Sequence, residues 1–262
     1  MASAGVHQRM SASSGNPHSP SLCSAYDAVY SRDTPDDPLD CRRWPRNRNE
    51  ALLFDIASEI RHVLEIGCGS GSVLNLLSRR SQMVTGLELS EVRARQARKR
   101  LAASRNAEVL VGSIESGIDR TDGYYDLILW ADVIEHVVNL FEAMAEVSRL
   151  LAPNGVLVTI TPNIAYLPRR IQLLLGRFPA TGSSNEGLGV RPGELFDAGH
   201  MHYFTFGALK NLYRQFHLTP TREIGFGNRL SRVRNFWPSV LSGSVYLAGV
   251  KQESKIPDSV MP

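Results

Sequence analysis

The sequence predicts an α/β fold built on a mainly parallel sheet, and three observations predict it. The short run Val63-Leu64-Glu65-Ile66 enters Gly67-Cys68-Gly69-Ser70-Gly71, and Val73, Leu74, Leu76 and Leu77 follow at helical spacing from Ser72 to Leu77. A buried strand, a glycine turn and a helix in that order form the opening of a βαβ unit. A second run, Met83-Val84-Thr85-Gly86-Leu87, ends in Glu88, about twenty residues after the turn. The chain has 262 residues, 43% of them hydrophobic and 21% charged, which is enough to bury one sizeable core of ordinary type.

Residues 1–22 are rich in Ser, Ala, Gly and Pro with little apolar periodicity and are expected to be disordered, as are residues 252–262. One domain, 23–251, remains. From Tyr26 to Arg48 the chain is polar, with Pro35, Pro38 and Pro45, and reads as an irregular arm over the mouth of the site; Asn47 to Ile60 reads as a helix leading into strand one. At the glycine turn, positive φ is permitted and no Cβ obstructs a ligand, while the next helix offers N–H groups at its N-terminus. By itself G-x-G-x-G also fits a plain chain reversal. Glu88, at the carboxyl edge of the neighbouring strand, can accept both hydroxyls of a ribose, and this spacing suits NAD and S-adenosylmethionine alike. Two residues separate them: Ser72 stands where a dinucleotide fingerprint has its third glycine, and Glu65 precedes Gly67 by two positions.

With Glu65 included, Val63 to Gly71 resembles motif I of the class I S-adenosylmethionine-dependent methyltransferases at every position. The resemblance continues in register over roughly residues 46 to 250. Glu108 to Val111 reads as strand three and leads into Gly112-Ser113-Ile114-Glu115, similar to the family's adenine-packing loop. Tyr125 to Trp130 resembles strand four, and Leu150 to Thr159 the helix end, Pro-x-Gly turn and fifth strand; His217 to Ile224 and Ser244 to Val250 complete a terminal hairpin. The resemblance implies a Rossmann-like seven-stranded sheet of order 3-2-1-4-5-7-6, strand seven antiparallel, flanked by helices. It implies S-adenosyl-L-methionine as cofactor, held by Glu65, Gly67, Gly69, Gly71, Glu88, Leu89, Ser113, Ile114 and Trp130. In that scheme Glu65 meets the methionine amino group through water, Glu88 the ribose, and Ser113 and Ile114 the adenine.

A second constellation follows strand four, in Trp130-Ala131-Asp132-Val133-Ile134-Glu135-His136. The carboxyl end of a central strand is where α/β folds place their chemistry. The 1, 4, 5 spacing of Asp132, Glu135 and His136 brings them to one side if they begin a helical turn. Two carboxylates with an imidazole suit a hard divalent cation such as Mg²⁺. Gly199-His200-Met201-His202-Tyr203-Phe204-Thr205 supplies a further ligand, with His202 the first choice and His200 the second. The pattern resembles the polyprenyl-phenol O-methyltransferases of ubiquinone synthesis and the small-RNA 2′-O-methyltransferases. In the latter the corresponding residues hold Mg²⁺ beside the accepting hydroxyl, which by position implies Asp132, Glu135, His136 and His202. Two other roles stay open. Glu135 and His136 could act without metal, His136 as general base in the acceptor pocket, or they could be structural. His200 and His202 could be strand or cap histidines; His62 reads as structural, and His7 and His18 fall in the disordered head.

Beyond Thr161-Pro162-Asn163 the chain leaves the sheet for about fifty residues, a length that usually carries function, and 161–205 reads as a substrate lid. Its segment Ile164 to Phe178 carries Leu167, Ile171, Leu173, Leu174 and Leu175 with Arg169, Arg170 and Arg177, followed by the glycine-rich stretch Gly182 to Gly193. A buried lid helix is the preferred reading of 164–178. An interfacial helix making peripheral membrane contact has the same composition. No run of eighteen apolar residues and no signal-peptide pattern is seen, so a cytoplasmic location is expected, with Cys23, Cys41 and Cys68 reduced and Cys68 packed in the turn. Net charge is only +3 and the arginines of Arg93 to Arg100 suit a solvated helix face, so no nucleic-acid partner is demanded. The segment from Thr161 through Phe204, with Arg234 to Ser242, resembles a broad bacterial group of methyltransferases acting on polysaccharides and secondary metabolites. The expected activity is therefore O-methylation of a small molecule, secondary metabolite or glycan. RNA 2′-O-methylation and non-catalytic cofactor binding are the alternatives.

Overall fold

A computed structural model describes residues 45, 47–53, 60–183, 186–188, 195–226 and 231–252. The readings made for 1–22, for most of the arm 26–48 and for 253–262 lie outside the described residues. Seven strands make one sheet: β1 (Ile60–Ile66), β2 (Ser81–Glu88), β3 (Ala107–Val111), β4 (Tyr125–Ala131), β5 (Leu151–Pro162), β6 (Leu218–Glu223) and β7 (Ser244–Lys251). Their order is β3-β2-β1-β4-β5-β7-β6, as expected. The pairs from β3 through β5 are parallel, and β7 runs antiparallel between β5 and β6.

Because strand side chains alternate, a central strand feeds two cores. In β4, Ile128 and Trp130 enter the core that also holds Met144 and Tyr213, whereas Leu127, Leu129 and Ala131 enter the one that holds Leu74, Val84 and Tyr246. Helices cover both faces. α1 (Arg48–Leu52) is capped by Asn47, whose side chain accepts the Glu50 N–H at 2.9 Å. The helix expected to reach Ile60 cannot do so, since Ile60 already pairs with Ser81 in the sheet. α2 (Ser72–Leu77) buries Val73, Leu74 and Leu77. α3 (Glu91–Arg100) buries only Ala94 and Ala97, small residues that let it lie close to the glycine turn. α4 (Leu140–Leu150) buries Ala143, Met144, Val147 and Leu150, spaced for one helix face, and starts at the Asn139 cap.

The long excursion after β5 carries α5 (Leu167–Leu174) and returns through α6 (Phe206–Gln215), whose cap is Thr205. α7 (Ser231–Phe236) and α8 (Pro238–Leu241) precede β7. The expectation of a buried lid helix is not met, because α5 buries none of its residues and leaves Leu174 85% exposed. Apolar spacing had no means of separating a core-facing stripe from a solvent-facing one.

Candidate active site

The turn between β1 and α2 is bent by glycines at φ +70, +55 and +79 (Gly67, Gly69 and Gly71). Two of them are required by close approach: a Cβ on Gly67 would lie 2.2 Å from Val133 Cγ2, and one on Gly71 3.1 Å from Ala97 Cβ. Arg100 pins the turn from α3, its Nη1 donating to Ser70 O and to the hydroxyls of Ser70 and Ser72.

The Gly69 N–H donates to Glu88 Oε2 at 2.8 Å, and the Ser90 N–H to Oε1 at 2.9 Å. Glu88 is thereby held with one lone pair left on each oxygen, the arrangement a vicinal diol needs. Glu65 is buried, and its Oε2 meets no partner among the described residues. Burial pushes its carboxyl up to about 8, opposed by Arg48 and reinforced by Glu88. On the far side, β3 leads into a 3₁₀ turn, Ile114–Ser116, with Ser113 Oγ bonded to Glu115 Oε2 and Ile114 presenting an apolar wall.

At the end of β4, Asp132 adopts φ 52 and turns the chain into a second 3₁₀ turn, Ile134–His136. Asp132 Oδ2 lies 3.4 Å from Arg48 Nη1. Glu135 is 1% exposed; its Oε2 accepts the Thr161 hydroxyl at 3.0 Å, while its Oε1 has no hydrogen-bond partner among the described residues. Burial, then repulsion from Asp132, pushes the Glu135 carboxyl up to about 8. His136 Nδ1 donates to Gly199 O at 3.2 Å, which makes Nε2 the basic nitrogen. Burial lowers this imidazole, which favours its neutral form.

The histidine that comes to this turn from the excursion after β5 is His200. Its Nε2 lies 3.9 Å from Glu135 Oε1, and its ring stacks edge-on with His136 at 4.6 Å. One ligand atom each from Glu135, His136 and His200 falls within 4.8 Å of the others. His202, the first choice from sequence, faces elsewhere: Nε2 donates to Val137 O at 2.9 Å. The physical reason is backbone pinning. The N–H groups of Met201 and His202 both donate to Glu135 O, which fixes where each flanking side chain points. Asp132 lines the same cavity but stays with Arg48, outside the three-residue group.

Asp197 orients His200, and nothing in its local sequence signals this. It is fully buried at φ 43 and accepts the N–H groups of Thr181, Gly182 and Ser183 and the hydroxyls of Thr181 and Tyr203. Against the desolvation of burial, these bonds hold its carboxyl down at about 2. Since Thr181 gives its proton to Asp197, its oxygen accepts from His200 Nδ1 at 2.6 Å, leaving His200 Nε2 basic and turned to Glu135. Burial, then His136, push this imidazole down to about 4.

One cavity of about 640 Å³ joins these parts. Gly67, Glu88, Leu89, Ser113 and Ile114 line it together with Asp132, Glu135 and His136 beyond β4 and with Arg169, Thr181 and His200 from the excursion after β5. Gly69 and Gly71 shape the turn from behind. Trp130, expected at the cofactor, is instead fully buried in the core, and Ala131 takes its place on the wall. Strand alternation is the reason: Trp130 shares a face with Ile128.

The residues fit both groups that the sequence resemblance implies. The diol-ready Glu88 suits the ribose of S-adenosylmethionine, and the unpartnered carboxyl oxygen of Glu65, which is buried and does not line the cavity, suits its amino group only through an intervening water. The partnerless Glu135 Oε1 with two imidazole nitrogens suits a divalent cation. That donor set is richer in nitrogen than the sequence implied, and it favours Mn²⁺, Fe²⁺, Co²⁺ or Zn²⁺ over Mg²⁺.

A family model described as a methyltransferase domain matches residues 37–223. The ubiquinone biosynthesis O-methyltransferase of Maricaulis maris is 30% identical over 103 residues, which is 38% of this chain and 40% of that protein. The malonyl-[acyl-carrier protein] O-methyltransferase of Geobacter sulfurreducens is 32% identical over 107 residues, 40% of each. The chain thus spans about two fifths of the length of these relatives. Among solved structures, the YcgJ protein of Bacillus subtilis superposes with a TM-score of 0.56 at 14% identity, over 79% of this chain and 100% of that one. The N-methyltransferase NodS of Bradyrhizobium japonicum, in complex with S-adenosyl-L-homocysteine, gives 0.51 at 15%, over 74% and 80%. Sheet order, glycine turn and family match agree: the chain belongs to the methyltransferase-domain family, in its class I, S-adenosylmethionine-dependent form.

Proposed function

We propose that this protein transfers the methyl group of S-adenosylmethionine to a hydroxyl oxygen of a small molecule, secondary metabolite or glycan, with a divalent cation held by Glu135, His136 and His200. The observation that carries this reading is the single cavity running from Glu88, Ser113 and Ile114 to that three-residue group. Two relatives are named as O-methyltransferases, which supports oxygen as the accepting atom.

S-adenosylmethionine supplies a methyl group on a sulfonium, and a divalent cation supplies Lewis acidity that makes an accepting hydroxyl easier to deprotonate. The chain's own residues position and select. Glu88 holds the ribose, Glu65 the amino group through water, and Ser113 and Ile114 the adenine. Bringing donor and acceptor to near-attack distance is the main contribution the protein makes to an in-line displacement. Gly199 and Thr181 fix His136 and His200 in the Nδ1–H form, so both present Nε2. Thr161 anchors Glu135 through one oxygen and leaves the other available. In the metal-free form of the mechanism His136 Nε2 takes the hydroxyl proton itself, a role its burial-lowered pKa permits near neutral pH.

The test is methyl transfer by chelator-treated protein to a panel of catechols, phenols and sugars, read by mass spectrometry with and without Mn²⁺, Mg²⁺ or Zn²⁺. The expected result is product only with cation, lost in His200→Ala while S-adenosylhomocysteine still binds. Full turnover in chelator, lost in His136→Ala, would move the chemistry to His136 as base. Failure of the wild type to bind S-adenosylhomocysteine sinks the reading altogether.

A further inference from the structure

We infer that the methyl acceptor is an anion, and that Arg169 is a preformed receptor for its carboxylate or phosphate group, set in the cavity wall beside His200. This rests on the proposed reading of the cavity and names its substrate class. Arg169 lies in the first turn of α5, and three chain segments clamp its guanidinium. Nε donates to Ala180 O at 3.2 Å; Nη1 donates to Asn163 O at 2.7 Å and to Gly243 O at 2.8 Å. A guanidinium has five N–H groups. Three are used, all on uncharged main-chain carbonyls, and among the described residues the Nη2 edge has no partner.

A counter-charge in direct contact is missing as well. Among the described residues no carboxylate lies within ion-pair distance of Arg169. Asp197, whose field reaches it, is occupied by Thr181, Gly182, Ser183 and Tyr203. From 163 to 182 the sequence holds no acidic residue. A half-buried cation on a cavity wall, fixed by neutral carbonyls with the Tyr166 ring 5.9 Å away and Asp197 acting only through its field, has no contacting anion among the described residues to offset its desolvation. A planar oxyanion matches the fork of a guanidinium. Arg169 also stands close enough to His200 to disfavour a second positive charge there. An acceptor with its hydroxyl at Glu135, His136 and His200 would therefore bring its anionic group to Arg169, as a hydroxylated carboxylic acid or a phosphate ester can.

The methionine carboxylate of the cofactor is the other candidate for Arg169, and the geometry assigns that group to Arg48. Arg48 bonds Asp132 and acts on Glu65 at the head of the glycine turn, whereas Arg169 shares its stretch of wall with Thr181, Gly182 and Gly243.

The experiment is calorimetry on the full chain saturated with S-adenosylhomocysteine and Mn²⁺. The probes are 3,4-dihydroxybenzoate, its uncharged amide, and inorganic phosphate. The acid is expected to bind about tenfold or more tighter than the amide, since bonds to charged groups are the stronger ones. That preference should vanish in Arg169→Met and partly survive in Arg169→Lys, and phosphate should compete with the acid in the wild type. S-adenosylhomocysteine should bind Arg169→Met within about twofold of wild type, because it meets other residues. The inference is overturned by equal affinity for acid and amide, by no Arg169-dependent binding of acid or phosphate, or by loss of S-adenosylhomocysteine affinity in Arg169→Met. The wild-type comparison decides alone if Arg169→Met does not fold. Failure of the O-methyltransferase reading shows separately, as absent S-adenosylhomocysteine binding by the wild type.

Discussion

Glu88 holds two main-chain donors while keeping acceptor capacity for a ligand, so its removal has two costs. Glu88→Ala orphans the N–H groups of Gly69 and Ser90 and removes the carboxylate proposed to hold the ribose; S-adenosylhomocysteine affinity should fall by about 1 to 3 kcal/mol by calorimetry. Unchanged affinity would place the ribose elsewhere. Thr181→Val cuts the connection between Asp197 and His200. Cation affinity should drop about 10- to 100-fold with cofactor binding intact, whereas His202→Ala should leave cation affinity within about twofold. The reverse pattern would restore His202 as the ligand. Glu65 gives a pH signature. Its folded carboxyl titrates at about 8 against an ordinary 4.5, so between those values the folded state holds a proton that the unfolded state has released. Stability of the ligand-free protein should therefore decline as pH rises from 4.5 to 8, and Glu65→Gln should flatten part of that decline in urea titrations. Glu135 contributes in the same direction and is untouched by the substitution.

Among elements, the glycine turn has the least tolerance. A Cβ at Gly67 meets both an unfavourable φ and Val133 Cγ2, so Gly67→Ala should destabilise the fold by about 1 to 3 kcal/mol and also weaken the cofactor. Wild-type stability in denaturant would show that Val133 can withdraw. The strands and the helix on either side of the turn were legible because their signals are local: the apolar runs of β1 and β2 and the helical spacing of Val73, Leu74, Leu76 and Leu77. The character of α5 was not, since Leu173, Leu174 and Leu175 would read identically whether they faced a core or solvent.

For the whole molecule, the sheet reverses its winding beside β1 and β4, and the ligand crevice of an open α/β sheet forms at such a switch. The cavity there is lined from the ends of β1, β2, β3, β4 and β5 together with the excursion after β5, so a ligand binding in it ties most of the sheet. S-adenosylhomocysteine at about a hundred times its Kd should raise unfolding stability by about 2.7 kcal/mol. A rise confined to the wild type and missing in Glu88→Ala would tie that effect to the cavity.

The sequence by itself determined the glycine turn, the acid at the end of β2 and the Glu-His pair after β4, because each is written in neighbouring residues, and the sheet order followed from the family resemblance those motifs carry. Only the tertiary structure decided that His200 rather than His202 meets that pair, that Trp130 faces the core, and that Asp197, Thr181 and Arg169 belong to the site. The reason is range. His200 and His202 stand two positions apart in one motif, and their choice depends on the Glu135 carbonyl that pins the backbone between them and on a threonine nineteen residues upstream. Such contacts form through the path of a folded loop, which no local pattern encodes.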